Sequence, residues 1–144
     1  MKSIRKIKLY LLLICFLINI VYVTPSYSLS PQEDLFKNAL NLSSSGEFNL
    51  ALKQWNKYLE LFPDDAAALS NRGNIKLVNG DPEGAIIDQN KAIDLDPDEV
   101  DPYINRGIAE ESLGLWSKAK KDYLFVISQD SKNFSALYNF ANVE

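Results

Sequence analysis

The 144-residue chain contains no histidine, a single cysteine, one methionine, six glycines and six prolines. Without histidine it lacks the commonest general base, the commonest metal ligand and the third member of any Ser-His-Asp or Cys-His arrangement. Cys15 alone can build neither an intramolecular disulfide framework nor a Cys-rich zinc or iron–sulfur site. No catalytic residue, metal site or cofactor is expected, and a binding or structural role is favoured over an enzyme. Acid is missing as well from the first 32 residues, where Lys2, Arg5, Lys6 and Lys8 stand unopposed. The rest carries 11 basic and 19 acidic residues, a net charge of −8. It has no basic patch or stripe with which to neutralise phosphates, so nucleic acid is excluded as its partner.

What is present falls into two parts. Behind the four basic residues comes an apolar run of 15 residues, Leu9 to Val23, followed by Pro25 and by Ser26 and Ser28 flanking Tyr27. This order matches a secretory signal peptide over residues 1–28, with cleavage expected after Ser28. The rival reading is an uncleaved membrane anchor. At about 1.5 Å per residue the run reaches roughly 22 Å, short of the ~30 Å hydrocarbon core, and Asn19 interrupts it. Ile14 before Cys15 does not suit a lipoprotein cleavage site, which needs a small residue there. Export across a membrane is therefore expected, with membrane contact limited to the signal peptide unless it stays as an anchor.

From Gln32 onward the chain repeats every 34 residues. Small residues recur at Ala39, Gly73, Gly107 and Ala141, glycines at Gly46, Gly80 and Gly114, and alanines at Ala51, Ala85 and Ala119. Bulky apolar residues keep the same step at Leu35, Leu69, Tyr103 and Leu137, and at Leu59, Ile93 and Ile127. Pro63 and Pro97 follow it too, with Ser131 in the third place. Within a unit, apolar or small residues lie three to four apart, which is helical spacing. The glycine then ends the first helix, where a left-handed residue is tolerated. A second stripe follows (Phe48, Ala51, Leu52, Trp55, Tyr58 and Leu59 in the first unit), and proline closes it. Each unit is thus a helical hairpin, with small residues where two helix backbones must approach closely.

This 34-residue helix-turn-helix resembles the tetratricopeptide repeat. The resemblance covers units 32–65, 66–99 and 100–133, with 134–144 as a partial fourth repeat or capping helix. Pro82 departs from the aromatic seen at Phe48 and Trp116, Gln89 from that of Trp55 and Tyr123, and Ser131 from the proline. The Asn-Arg-Gly triplets resemble a subset of the family common in cyanobacteria and plastids. The resemblance implies an all-α, right-handed superhelix of about three and a half units and a role as a protein–protein interaction module, scaffold or assembly factor. Together with the export signal, it implies the periplasm or thylakoid lumen as the compartment.

Members of the family use a concave groove lined by first helices to hold a peptide or partner helix. Here the corresponding positions are Phe36, Leu40, Asn71, Asn74, Ile104, Asn105, Ile108, Tyr138 and Asn139. Asparagine amides can donate to and accept from an extended peptide backbone, and the apolar members offer anchoring pockets; the alternative is that these amides are solvated and inert. Phe36 and Leu40 replace the first Lys and Asn of the clamp that some members close on a C-terminal carboxylate, and Asp101 and Asn105 replace its later basic residues. An acidic chaperone tail is accordingly not the expected ligand. Arg72 and Arg106 each have an acid 16 residues later, Asp88 and Asp122, and are expected to form structural ion pairs within their repeats. The run Asp94, Asp96, Asp98, Glu99 and Asp101 resembles a calcium loop only at its start. Pro97 breaks it and Glu99 stands where the sharp-turn glycine belongs, which leaves a solvated inter-repeat turn. Because the partner helix of the last unit is absent from the sequence, the aromatic residues Phe134, Tyr138 and Phe140 suggest either a homodimer through that helix or a truncated repeat fragment.

Overall fold

The computed structural model describes residues 30–143. The expected signal peptide, residues 1–28, lies outside the described residues, as does Glu144. The described chain forms seven helices: α1 (Pro31–Ser44), α2 (Phe48–Leu61), α3 (Ala66–Val78), α4 (Pro82–Leu95), α5 (Asp101–Ser112), α6 (Trp116–Gln129) and α7 (Phe134–Asn142). Successive helices pack as antiparallel hairpins, and first helices also touch the first helices of adjoining units, α1 with α3, α3 with α5, and α5 with α7. Among the described residues no helix is long and apolar enough to cross a membrane.

Local chemistry starts and stops these helices at the 34-residue step. Ser30 caps α1 reciprocally: its Oγ accepts from the Glu33 backbone N–H at 3.2 Å, and its own N–H donates to Glu33 Oε2 at 2.7 Å. Asp65, Asp81 and Asn133 cap α3, α4 and α7 in the simpler way, each accepting from a backbone N–H three residues on. The intra-hairpin turns need a residue at positive φ. Gly46, Gly80 and Gly114 supply it at 80°, 82° and 71°. In each turn the glycine N–H and the next N–H return to carbonyls of the last helical turn, as in Gly114 to Glu111 at 2.8 Å and Leu115 to Glu110 at 2.8 Å.

Two apolar clusters fill the hairpins. One joins α1–α4 around Trp55, Tyr58 and Leu69; the other joins α5–α7 around Ile104, Tyr123 and Val126. Phe36 meets Trp55 and Tyr58 edge-on with ring centroids 5.0 and 5.4 Å apart, an arrangement the ring quadrupoles favour. The position shared by Trp55, Gln89 and Tyr123 faces the first helix of its own unit in every repeat. Trp55 Nε1 donates to Ser43 Oγ at 2.9 Å, and Tyr123 donates its phenolic hydrogen to Glu111. Burial and that carboxylate push the Tyr123 phenol well above its ordinary range. Gln89, fully buried, donates from Nε2 to the Ser70 carbonyl at 3.0 Å and to Asn74 Oδ1 at 3.3 Å. The middle repeat thus replaces an aromatic ring by an amide that ties α4 to α3.

The small residues have identifiable neighbours. A Cβ on Gly73 would stand 2.7 Å from Gln89 Nε2 and 3.2 Å from the Ala85 carbonyl oxygen; one on Gly107 would stand 2.5 Å from Tyr123 Cε1. Glycine at these places is therefore a condition of close helix crossing.

Candidate functional site

The odd-numbered helices form one face of the array, and two adjoining clefts lie along it. The first, about 260 Å³, runs between α3 and the start of α5 and is lined by Ser70, Asn71, Asn74, Asp96, Glu99, Asp101 and Asn105 with the methyl groups of Ala66 and Ala67. The second, about 390 Å³, lies between α5 and α7 and is lined by Asn74, Asp101, Ile104, Asn105, Ile108, Phe134, Ser135, Tyr138 and Asn139. Asn74, Asp101 and Asn105 belong to both, so the two form one continuous channel across three first helices.

Seven of the nine residues read from the sequence as groove positions line this channel: Asn71, Asn74, Ile104, Asn105, Ile108, Tyr138 and Asn139. Ile104 offers only its edge, since most of the side chain sits in the α5–α7 core. Phe36 and Leu40 are placed apart from the other seven. Phe36 turns its ring onto Trp55 and Tyr58, contributing to a shallow recess with Gln32 and Lys37 at the start of the array. Leu40 is exposed on α1 and lines neither cleft. The physical reason at Phe36 is the adjacent pair of large rings on α2, against which an aromatic side chain buries more apolar surface than it would facing solvent.

Three of the asparagines are anchored by one bond each. Asn71 Nδ2 donates to the Ala67 carbonyl at 2.8 Å, Asn105 Nδ2 donates to Ser70 Oγ at 3.2 Å, and Asn74 Oδ1 accepts from Gln89. These bonds orient the amides and leave the Oδ1 atom and the second Nδ2 hydrogen of Asn71 and Asn105, and the Nδ2 group of Asn74, for a ligand. The bond from Asn105 to Ser70 also crosses from one repeat to the next, fixing the width of the first cleft. Asp96, Glu99 and Asp101 are exposed at its rim. Reading by rows missed Asp96, Glu99 and Phe134 as lining residues. Phe134 could have been found from its place one turn before Tyr138, and the acids from the short inter-repeat turn that must pass the mouth of the groove.

On the opposite side of the first helices, Arg72 makes a two-point contact with Asp88, from Nε to Oδ2 at 2.7 Å and from Nη2 to Oδ1 at 2.6 Å. Arg106 does the same with Asp122, at 2.7 Å for both contacts. Each arginine also reaches backward: Arg72 Nη1 donates to Asn56 Oδ1 at 3.2 Å, and Arg106 Nη1 to Asn90 Oδ1 at 2.7 Å. Lys76 joins the first pair at 2.9 Å from Asp88. The arginines therefore connect a repeat both to its own second helix and to that of the preceding repeat, and they do not line the channel.

Helical hairpins repeated at fixed spacing, with their first helices lining an open channel, define an all-α repeat superhelix. Residues 36–100 match the family model described as tetratricopeptide repeat. The chain is 33% identical over 84 residues to a FAM10 family protein of Arabidopsis thaliana, covering 58% of this chain and 19% of that protein. Its fold is similar to the first TPR domain of Spaghetti (RPAP3), solved bound to the HSP90 peptide SRMEEVD, with a TM-score of 0.75 at 23% identity, over 78% of this chain and 89% of that one. The Arabidopsis OM64 TPR domain also gives a TM-score of 0.75, at 21% identity, over 78% and 93% of the two chains. The chain spans between 11% and 22% of the length of the curated relatives it matches. The model match covers residues 36–100, and the solved structures show the fold alone.

Proposed function

We propose that this chain is a protein-interaction module that holds an extended peptide or partner helix in the channel along α3, α5 and α7, with no catalytic step of its own. The observation that carries the reading is the continuity of the two clefts through Asn74, Asp101 and Asn105, which presents half-anchored amides beside the apolar surfaces of Ile108 and Tyr138. The solved Spaghetti domain, bound to a peptide, lends support by fold. Selection of a displayed random peptide library on the full chain tests the reading. It predicts saturable binders whose affinity falls about tenfold, or about 1.4 kcal/mol, in the Asn71→Ala/Asn105→Ala double variant. Binders that ignore this pair and an Ile108→Asp variant would place the interaction elsewhere.

The basic head and apolar run ahead of the repeats favour export, so the proposed site of action is beyond a membrane, in the periplasm or thylakoid lumen; the Asn-Arg-Gly triplets point to the cyanobacterial and plastid subset. Mass spectrometry of the protein from its native source should find Leu29 as the mature N-terminus, whereas an intact Met1 in the membrane fraction would favour an anchor. A second reading, self-association through α7, is favoured by the exposure there of Phe134, at 78%, and Tyr138, at 59%. Sedimentation at several concentrations decides it, since a monomer throughout removes the dimer.

A further inference from the structure

Resting on the peptide-binding reading, we infer that the channel selects a peptide carrying an arginine or lysine beside an apolar residue. The polar chemistry of the first cleft is one-sided. Its lining contains the carboxylates of Asp96, Glu99 and Asp101 and no Lys or Arg, and the second cleft shares Asp101 and likewise contains no base. The amides do not alter that sign: after their anchoring bonds Asn71 and Asn105 each keep an acceptor oxygen and one N–H, so they serve a ligand of either polarity and the carboxylates decide. Glu99 Oε1 accepts from the Val100 backbone N–H at 3.1 Å, which holds that carboxylate at the rim. The N-termini of α3 and α5 also open here, but each helix end amounts to roughly +0.5 of a charge. Two such ends, one of them already capped by Asp65, do not offset three carboxylates.

The second cleft supplies the apolar part. Phe134 and Tyr138 lie with near-parallel rings, centroids 6.2 Å apart and 21° between planes, exposed on the wall opposite Ile108. An aromatic face next to a carboxylate suits a guanidinium or ammonium group with its hydrocarbon stem, because the ring quadrupole and the acid act in the same direction. Charge complementarity thus identifies the occupant as a cationic peptide segment and disfavours an acidic one.

The test uses the full chain and three capped, fluorescein-labelled peptides with identical leucine anchors and either Arg, Ala or Glu at two central positions. Fluorescence anisotropy should show the Arg peptide binding at least about tenfold tighter than the Ala peptide, and the Glu peptide weakest. Raising the salt concentration should narrow these gaps. Asp101→Asn, and separately Glu99→Gln, should weaken the Arg peptide about three- to tenfold and the Ala peptide by a clearly smaller factor; equal losses for both peptides would overturn the selectivity. Equal affinities for all three peptides, or a preference for Glu, would overturn the selectivity while leaving the groove reading intact. Failure of all three, with library-selected peptides still bound in the channel, would do the same. A dimer abolished by Tyr138→Ala, with the peptides excluded, would assign the channel to a second copy and overturn this inference.

Discussion

Gly107 shows how closely single positions are constrained. The Tyr123 ring occupies the space a methyl group would need, so Gly107→Ala forces the ring or the whole of α6 to move. Overpacking of this kind is expected to cost about 1–3 kcal/mol in urea unfolding. A recurring small residue is legible in sequence as a close helix crossing. The occupant of the notch is not, because it depends on how α6 rotates against α5. Glu110 carries a second prediction. It is buried, its Oε2 has no hydrogen-bond partner among the described residues, and burial first, then Asp122, raises its pKa above 4.5 despite Arg106 and Lys118. Because the folded state binds this proton more tightly than the unfolded state, the group favours folding fully below pH 4.5 and loses that contribution as pH rises through the elevated value. Glu110→Gln should therefore stabilise the fold at pH 7, because it removes a buried negative charge that stands near Asp122. The gain should vanish near pH 4 when melting is followed across the range.

Between elements, the arginines act as ties across repeats. The pairing of Arg72 with Asp88 and of Arg106 with Asp122 was legible, since both charges appear together at a fixed 16-residue offset. The bonds to Asn56 and Asn90 were not, because an asparagine 16 residues before the arginine gains meaning only when the preceding second helix is seen to lie beside it. Arg106→Ala strands Asp122 in a buried site and is expected to cost about 3 kcal/mol. Arg106→Met combined with Asp122→Leu should recover most of that loss, because it removes the uncompensated charge along with its partner. Thermal melts of the two variants and the parent chain check the order. If the double variant were as unstable as Arg106→Ala, the desolvated acid would not be the cause. The turns behave in the same additive way. Gly80→Ala, at φ 82° in open space, should cost about 1–2 kcal/mol from backbone conformation alone.

For the whole molecule, the 34-residue period was enough to read the seven-helix order and the hairpins, because each unit obeys the same local chemistry. The channel was only partly readable. Rows of equivalent positions led to Asn71, Asn74, Asn105 and Asn139, yet the same rule extended the groove to Phe36 and Leu40. There the large aromatic pair Trp55 and Tyr58 draws Phe36 inward, and the row ends. The acidic rim belongs to a turn, whose place at the mouth of the cleft follows from packing and not from periodicity. Two apolar clusters, one in α1–α4 and one in α5–α7, meet across α4 and α5, so the channel spans the junction between them. A ligand held there should couple the two halves, and bound peptide should slow amide exchange in both α3 and α5.

Backbone amide NMR of the full chain, titrated with a library-selected peptide, tests the central claim most directly. Peptide binding in the channel should give saturable shifts confined to one face of the first helices, at residues 70–74, 101–108 and 134–139, with the second helices α2, α4 and α6 largely unmoved. Shifts concentrated on those second helices, or an absence of saturable shifts in the channel, would contradict it.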